Sequence, residues 1–354
     1  MGKKKINDEE DLVDTNNSIS KELIKKYGNV FLNGNHIIER KRDIISVSPK
    51  IDLVIGGGVC SGSVFTLAGK PKCGKSQTSL SVARNAQIRG YKIFYIDIEN
   101  RLKARDLVGI KDLKADEVDV VRSVRGKILT GEEYLEITEN LINSHPKSVI
   151  IADSISQLCL ESEHTSDLDK RDRSPGAGLM AKFIKRNAGA ISVNDIILIC
   201  IQHLIANLGN TNGHGPQFVK SGGNKVQFQG DLGLIAKSVK YDKIGEKNDI
   251  GQKSLGQEVE WFVEFSSLSA PCSTATSYIR YGRGVCDITE NIQLAIELGL
   301  IEGGGSGGWM SLAYLGEGCK KMQGQEKLFQ YFDGGSGRED YNILVNKIQE
   351  ILYA

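Results

Sequence analysis

No stretch of this 354-residue sequence approaches the run of about 20 apolar residues that a membrane-crossing helix requires, and that excludes a helical span. Charge of one sign is missing as well. The chain carries 45 Lys+Arg against 44 Asp+Glu, a net charge of +1, so it has no global basic field of the kind that marks many nucleic-acid binders. Any nucleic-acid site must then be local, built from a few loops, in a protein able to repeat along a strand with few contacts per copy. Cys60, Cys73, Cys159, Cys200, Cys272, Cys286 and Cys319 are odd in number, widely spread and free of any CxxC pair, so they read as reduced thiols rather than zinc ligands. The opening MGKKKINDEEDLVDTNN has basic residues but no apolar run behind them; no secretory signal is read, and a cytoplasmic location without membrane contact is expected. No internal repeat is read, and with Ile351-Leu-Tyr-Ala354 as the last residues an acidic C-terminal tail is not expected.

What the sequence does have is glycine, 40 residues of it, much of it in short clusters such as Gly56-Gly57-Gly58 and Gly303-Gly304-Gly305 that mark turns. Between such turns lie short continuous apolar runs, VFTLAG, KIFYIDIE, SVIIADS and DIILICIQ, alternating with helical stretches. Strands buried on both faces need no polar alternation, so this pattern predicts an α/β fold with a mostly parallel central sheet covered by helices, over residues 46–286. Ahead of it, residues 1–45 combine a polar tail with a short amphipathic helix from Ser20, carrying Leu23, Ile24 and Tyr27 and stopping at Gly28. That helix either packs on its own domain or docks on a neighbour. Residues 287–354 read as helix, small hairpin and helix, a separate α+β domain.

The chemistry is concentrated at the ends of the apolar runs. Gly69-Lys70-Pro71-Lys72-Cys73-Gly74-Lys75-Ser76, followed by Gln77, is a complete GxxxxGK[ST] phosphate loop between a strand-like and a helix-like segment. Its glycines let consecutive N–H groups face a phosphate, Lys75 neutralises the β and γ phosphates, and the Ser76 hydroxyl is placed to ligate Mg²⁺. The run ending at Asp153 has the form of a strand whose carboxylate orients the same ion. Asp97 and Glu99 share a face at the end of KIFYIDIE, and Glu99 can polarise the water that attacks a γ-phosphate; an acid capping the next helix is the other reading. Gln202 ends the fourth run, where it can bond a γ-phosphate and pass that state to the long polar stretch behind it, HLIANLGNTNGHGPQFVKSGGNK. A second polar loop, ESEHTSDLDKRDRSPGAG, follows Asp153, and Arg171, Arg173, Lys182, Arg186, Lys220 and Lys225 supply positive charge near the two loops, though any one of them could be ordinary solvated surface.

Taken in order, these motifs resemble the RecA family, including phage recombinases of the UvsX type, over roughly residues 20–354. The resemblance implies a RecA-like P-loop NTPase core that hydrolyses ATP with Mg²⁺, assembles into a helical filament on single-stranded DNA and pairs it with homologous double-stranded DNA. It makes Glu99, Lys75 and Gln202 the catalytic set, and Lys182, Arg186, Lys220, Gly222, Gly223, Asn224 and Lys225 the DNA-binding residues. Phe228 would be an interface aromatic or an ordinary core residue, and Tyr281, in SYIRYGRGV, would lie against the adenine. A single-strand-binding protein and a loader are the accessory partners implied. Some positions depart from the family. Where bacterial members have two lysines ahead of the Ala270-Pro271 step this chain has Phe265 and Ser267, with Arg280 or Arg283 as candidates to replace them, and Lys103 stands where an adenine-contacting Asp is expected. A filament-regulating paralogue and a hexameric helicase with the same core therefore remain open as alternatives.

Overall fold

The computed structural model describes residues 18–28, 30, 34–165, 175–206, 218–220, 230–244, 253–303, 308–316 and 319–352. The chain divides into two compact units, Met1–Asp43 and Ile44–Ala354. In the first, α1 (Ser18–Tyr27) and α2 (Gly34–Glu39) are the described elements. Helix α1 begins two residues ahead of the expected Ser20. It stops where expected, because Gly28 adopts a φ of +79° and its amide still reaches the Ile24 carbonyl at 2.9 Å.

In the second unit, β1 (Ile44–Ile45) and β2 (Val59–Cys60) bracket α3 (Pro49–Ile55). Ser48 caps that helix by accepting from Ile51 N, and Pro49 sits in the first turn, where no N–H is needed. Strands and helices then alternate: β3 (Ser63–Gly69), α4 (Lys75–Ile88), β4 (Lys92–Asp97), α5 (Ala104–Val108), β5 (Val118–Val121), α6 (Gly131–Ser144), β6 (Ser148–Asp153), α7 (Glu161–Thr165), α8 (Pro175–Val193) and β7 (Ile197–Ala206). The four apolar runs are β3, β4, β6 and β7. β8 (Phe218–Lys220) folds back antiparallel on β7. Four further strands follow, β9 (Leu232–Ile244), β10 (Lys253–Ser266), β11 (Thr274–Arg280) and β12 (Gly284–Val285).

All of these except β1 and β2 form one ten-stranded sheet, in the order β12-β11-β10-β9-β3-β7-β6-β4-β5 with β8 paired to β7. The stretch from β9 through β5 is parallel, and β9 to β12 are mutually antiparallel. The two-residue period assigns each strand's side chains to two cores. Phe65, Leu67, Ile93, Tyr95, Val149, Ile151, Ile197 and Ile199 meet Leu80, Val82 and Ala86 of α4 on one face. On the other, Phe94, Ile96, Ile150, Ala152, Leu198 and Cys200 meet Tyr134, Leu135 and Ile142 of α6 and Met180, Phe183 and Ile184 of α8. Helices on both faces are why the central runs carry no polar alternation.

The C-terminal segment consists of α9 (Asp287–Glu297), an antiparallel sheet of β13 (Glu302–Gly303), β14 (Trp309–Ser311) and β15 (Lys321–Gln323), then α10 (Gly324–Asp333) and α11 (Arg338–Leu352). In place of the expected hairpin and single helix there are three strands and two helices, because Gly334 interrupts the helical run. Ile292, Leu328, Phe332 and Leu344 centre its core, in which Tyr278 of β11 and Leu53 of α3 also take part. Among the described residues no helix is long and apolar enough to cross a membrane.

Candidate functional site

The carboxyl ends of β3, β7, β6 and β4 lie side by side, the edge at which open parallel sheets bind ligands. At the end of β3, Gly69 admits no side chain: a Cβ there would lie 2.5 Å from Cys73 Sγ. Gly74 caps α4 at a φ of +90°, and a Cβ on it would fall 2.3 Å from Ile279 Cδ1. With glycine as the cap, α4 has no side-chain cap hydrogen bond on its first-turn N–H groups, an arrangement suited to an anion. Lys75 is buried and its amine donates to the carbonyls of Gly69 at 3.0 Å and Lys70 at 2.8 Å, spanning the loop from inside. Pro71, Lys72, Gly74, Lys75, Ser76 and Gln77 line a cleft of about 610 Å³, whereas Cys73 turns inward beneath it.

Across the cleft, Ser76 Oγ donates to Asp153 Oδ2 at 2.6 Å, and Tyr95 donates its hydroxyl to the same oxygen. Burial raises the Asp153 carboxyl above its ordinary value, against those two donors. Glu99 lies just past β4, held by its amide on the Asp153 carbonyl at 3.2 Å. Its Oε1 accepts from Ser154 Oγ at 2.8 Å and meets His203 Nε2, while Oε2 lies 3.6 Å from Arg101. The His203 contact, more than the others, holds Glu99 below the usual carboxylate range. Asp97 also borders the cleft, but its oxygens accept from the amides of Arg101 and Leu102, both at 3.0 Å, and so fold the turn that presents Glu99.

Gln202 does not stand where the sequence suggested. Strand β7 runs on to Ala206, and in the register of β3 it is His203 that faces Gly69. Gln202 is 2% exposed, does not line the cleft, and its Oε1 has no hydrogen-bond partner among the described residues. His203 is the group that reaches the cleft, and no motif pointed to it: its signal was only a position one residue further along a strand whose length the sequence understated.

The far wall of the cleft comes from Arg101, Leu102, Arg105 and Asp106 on one side and Tyr241, Gln257 and Tyr281 on the other. Tyr281 is 43% exposed and donates its hydroxyl to Gln257 Oε1 at 3.1 Å. Tyr241 and Gln257 were missed because the β9–β10 pair itself was. Lys103 is not a lining residue; it precedes α5 and its amide donates to Asp106.

Of the cations assigned to DNA, Lys182 and Arg186 are exposed on α8, the latter paired with Glu139 at 2.9 Å. Lys220 is different. It is buried at 6% exposure, paired with Glu264 and 5.9 Å from the Phe265 ring centre, and burial lowers its ammonium pKa. Gly222, Gly223, Asn224, Lys225 and Phe228, together with Arg171 and Arg173, lie outside the described residues. Phe265 packs where Gly230 and Gly233 leave room; a Cβ on Gly233 would come within 2.4 Å of its ring. Arg280 and Arg283, the candidates to replace the absent lysines, are both held by carboxylates of α10.

Comparison with known proteins follows the same outline. The family model described as RecA N-terminal domain matches residues 14–286. Protein RecA of Phytoplasma mali (strain AT) is 30% identical over 93% of this chain and 92% of its own length. Protein RecA of Aquifex aeolicus is 29% identical over 79% of this chain and 76% of its own, and the mitochondrial DNA repair protein recA homolog 3 of Arabidopsis thaliana is 26% identical over 92% and 72%.

Proposed function

The chain belongs to the RecA family, a family of DNA-dependent ATPases, and we propose that this RecA-type recombinase couples ATP hydrolysis to strand exchange between single-stranded DNA and a homologous duplex. The observation that carries the reading is the meeting of Lys75, Ser76, Asp153, Glu99 and His203 at the carboxyl ends of four adjacent strands.

The residues suit a nucleotide triphosphate held with Mg²⁺. A hydroxyl and a carboxylate 2.6 Å apart are hard oxygen donors of the type Mg²⁺ takes. No cluster of three or more His, Cys, Asp or Glu capable of holding a metal by itself occurs among the described residues, which fits an ion carried in largely by phosphates. Magnesium-bound ATP would supply the anhydride bond that is broken. Within the chain, the uncapped start of α4 and the Lys75 amine would receive the negative charge, and Ser76 and Asp153 would hold the Mg²⁺. Glu99, ionised at neutral pH, orients the attacking water and accepts its proton on a carboxylate oxygen. His203 touches that carboxylate and sits on the strand that leads into residues 207–217, so it takes the coupling role that the sequence gave to Gln202.

Tyr281, with Tyr241, forms the base end of the cleft. Lys182 and Arg186 offer exposed charge for the DNA backbone, whereas Lys220 is committed to Glu264. Self-assembly is supported by β5, an edge strand of the sheet near which Val120, Val124 and Ile128 are exposed. A single-strand-binding protein and a loader are the accessory partners in this reading, and the cytoplasm is its compartment.

One second reading has its own observation: with Phe265 and Ser267 in place of lysines and both nearby arginines taken up by α10, a paralogue that regulates filaments with little turnover is the alternative. ATP hydrolysis measured with and without single-stranded DNA, across a protein titration, separates the two. Strong stimulation, cooperative in protein and abolished by Lys75→Ala, is expected; turnover that survives Lys75→Ala would refute the site, and no turnover in the unaltered protein would favour the paralogue.

A further inference from the structure

The hairpin that bears Tyr281 is gripped from behind. Arg280 and Arg283 flank the turn Tyr281-Gly282, and each makes a two-pronged ion pair with α10: Arg280 with Glu326 at 3.0 and 2.7 Å, Arg283 with Asp333 at 2.7 and 2.5 Å. Phe329, one turn from each acid, lies under both guanidiniums, its ring centre 3.9 Å from Arg280 and 5.1 Å from Arg283. Asp333 does more, because Lys111 donates to its Oδ1 at 2.5 Å. Lys111 follows α5, the helix that carries Arg105 and Asp106 into the opposite wall of the base end, and its amide bonds the Arg283 carbonyl at 3.0 Å. A single carboxylate from the C-terminal segment therefore ties together the two walls between which a base would enter. The Arg283–Asp333 pair, 16% and 25% exposed at the side chains, is sheltered from the screening that makes most surface pairs weak, whereas Glu326 is 45% exposed and its pair with Arg280 is the weaker of the two.

We propose that α10 is a positioning element of the nucleotide cleft, in which Asp333, seconded by Glu326, sets the spacing of the Tyr281 hairpin and the α5 wall and thereby tunes affinity for the base of the nucleotide. The proposal rests on reading that cleft as the ATP site. Neither acid lines the cleft; both act through residues that do. Because the grip is at the base end, its loss weakens a nucleotide and leaves the phosphate loop untouched, which a general loosening of the fold would not do.

The test uses the full chain and its Asp333→Asn and Glu326→Gln variants, with a ribose-labelled fluorescent ATP as the probe and inorganic tripolyphosphate as its competitor. Asp333→Asn is expected to raise the KM for ATP by roughly fivefold, the size of a sheltered ion pair, with kcat within about twofold and the tripolyphosphate inhibition constant unchanged. Exchange of partners in Arg283→Asp with Asp333→Arg is expected to recover part of the loss. Unchanged KM in a folded Asp333→Asn variant would overturn the proposal, as would equal weakening of ATP and tripolyphosphate. Failure of the unaltered protein to bind the probe would instead refute the nucleotide site itself, an outcome distinct from both.

Discussion

Replacing His203 with alanine should move the acid limb of catalysis. In the folded chain Glu99 is held below its ordinary value of 4.5, first by the His203 contact, with Ser154 and Arg101 assisting and burial opposing. Removing His203 deletes the largest of the lowering influences and leaves the opposing one. A hydrogen bond to a charged group contributes about 1.5–3 kcal/mol, and the side chains' exposures of 22% and 12% argue for the lower end. Without that contact the Glu99 pKa should rise. The profile of kcat/KM against pH reports the free enzyme, so it is the quantity to follow. The acid limb of the variant's profile should lie at higher pH than the parent's, with the two profiles meeting on a common neutral plateau. The sign is fixed: a depressed carboxylate pKa keeps the base ionised above 4.5, and stabilises the fold over the same range, with both effects fading as pH falls. Superimposable profiles after His203→Ala would refute the claim that His203 sets the state of Glu99.

Other substitutions probe the packing and the DNA surface. Gly233→Ala drives a methyl to within 2.4 Å of the Phe265 ring and should lower stability by about 1–3 kcal/mol in urea melts; Phe265→Leu in the same chain should recover part of it. Lys182→Ala should reduce the salt slope of single-stranded DNA binding by about one unit, whereas Lys220→Met should leave it unchanged because that ammonium is already paired with Glu264. A Lys220→Met variant with the lower slope would show that the Lys220–Glu264 pair opens on DNA.

The parallel core was legible because β3, β4, β6 and β7 are continuous apolar runs, and the phosphate loop because its glycines are demanded by backbone geometry. β9 and β10 carried a weaker signal. Leu232, Leu234 and Ala236, then Val259, Trp261 and Val263, are buried at every second position, but Gly233, Ile235 and Phe262 between them are apolar too and blur the alternation of a sheet extension. With that hairpin went Tyr241 and Gln257. Strand ends are harder still. Whether Gln202 or His203 faces the cleft depends on a single residue of register, and Lys220 looks like a free cation until its partner, 44 residues away, is known. The acids of α10 could not be matched to Arg280 and Arg283 by any local pattern, since 46 and 50 residues separate the pairs.

The register of β7 also restricts what kind of mechanical signal it can carry. From Ile197 to Cys200 it is clasped by β6 and β3 together, and these side chains fill the two cores alternately. A one-residue slide would exchange the two sets and break both cores, so the strand cannot work as a piston. Beyond Cys200 the pairing with β6 ends, while β3 holds on as far as His203. From Leu204 to Ala206 the partner among the described residues is β8 alone, so a displacement passed along β7 could bend the strand only past His203 and would not travel along its axis. Insertions or deletions after Ala206 should therefore leave the register of β7, and with it the His203–Glu99 contact, unchanged.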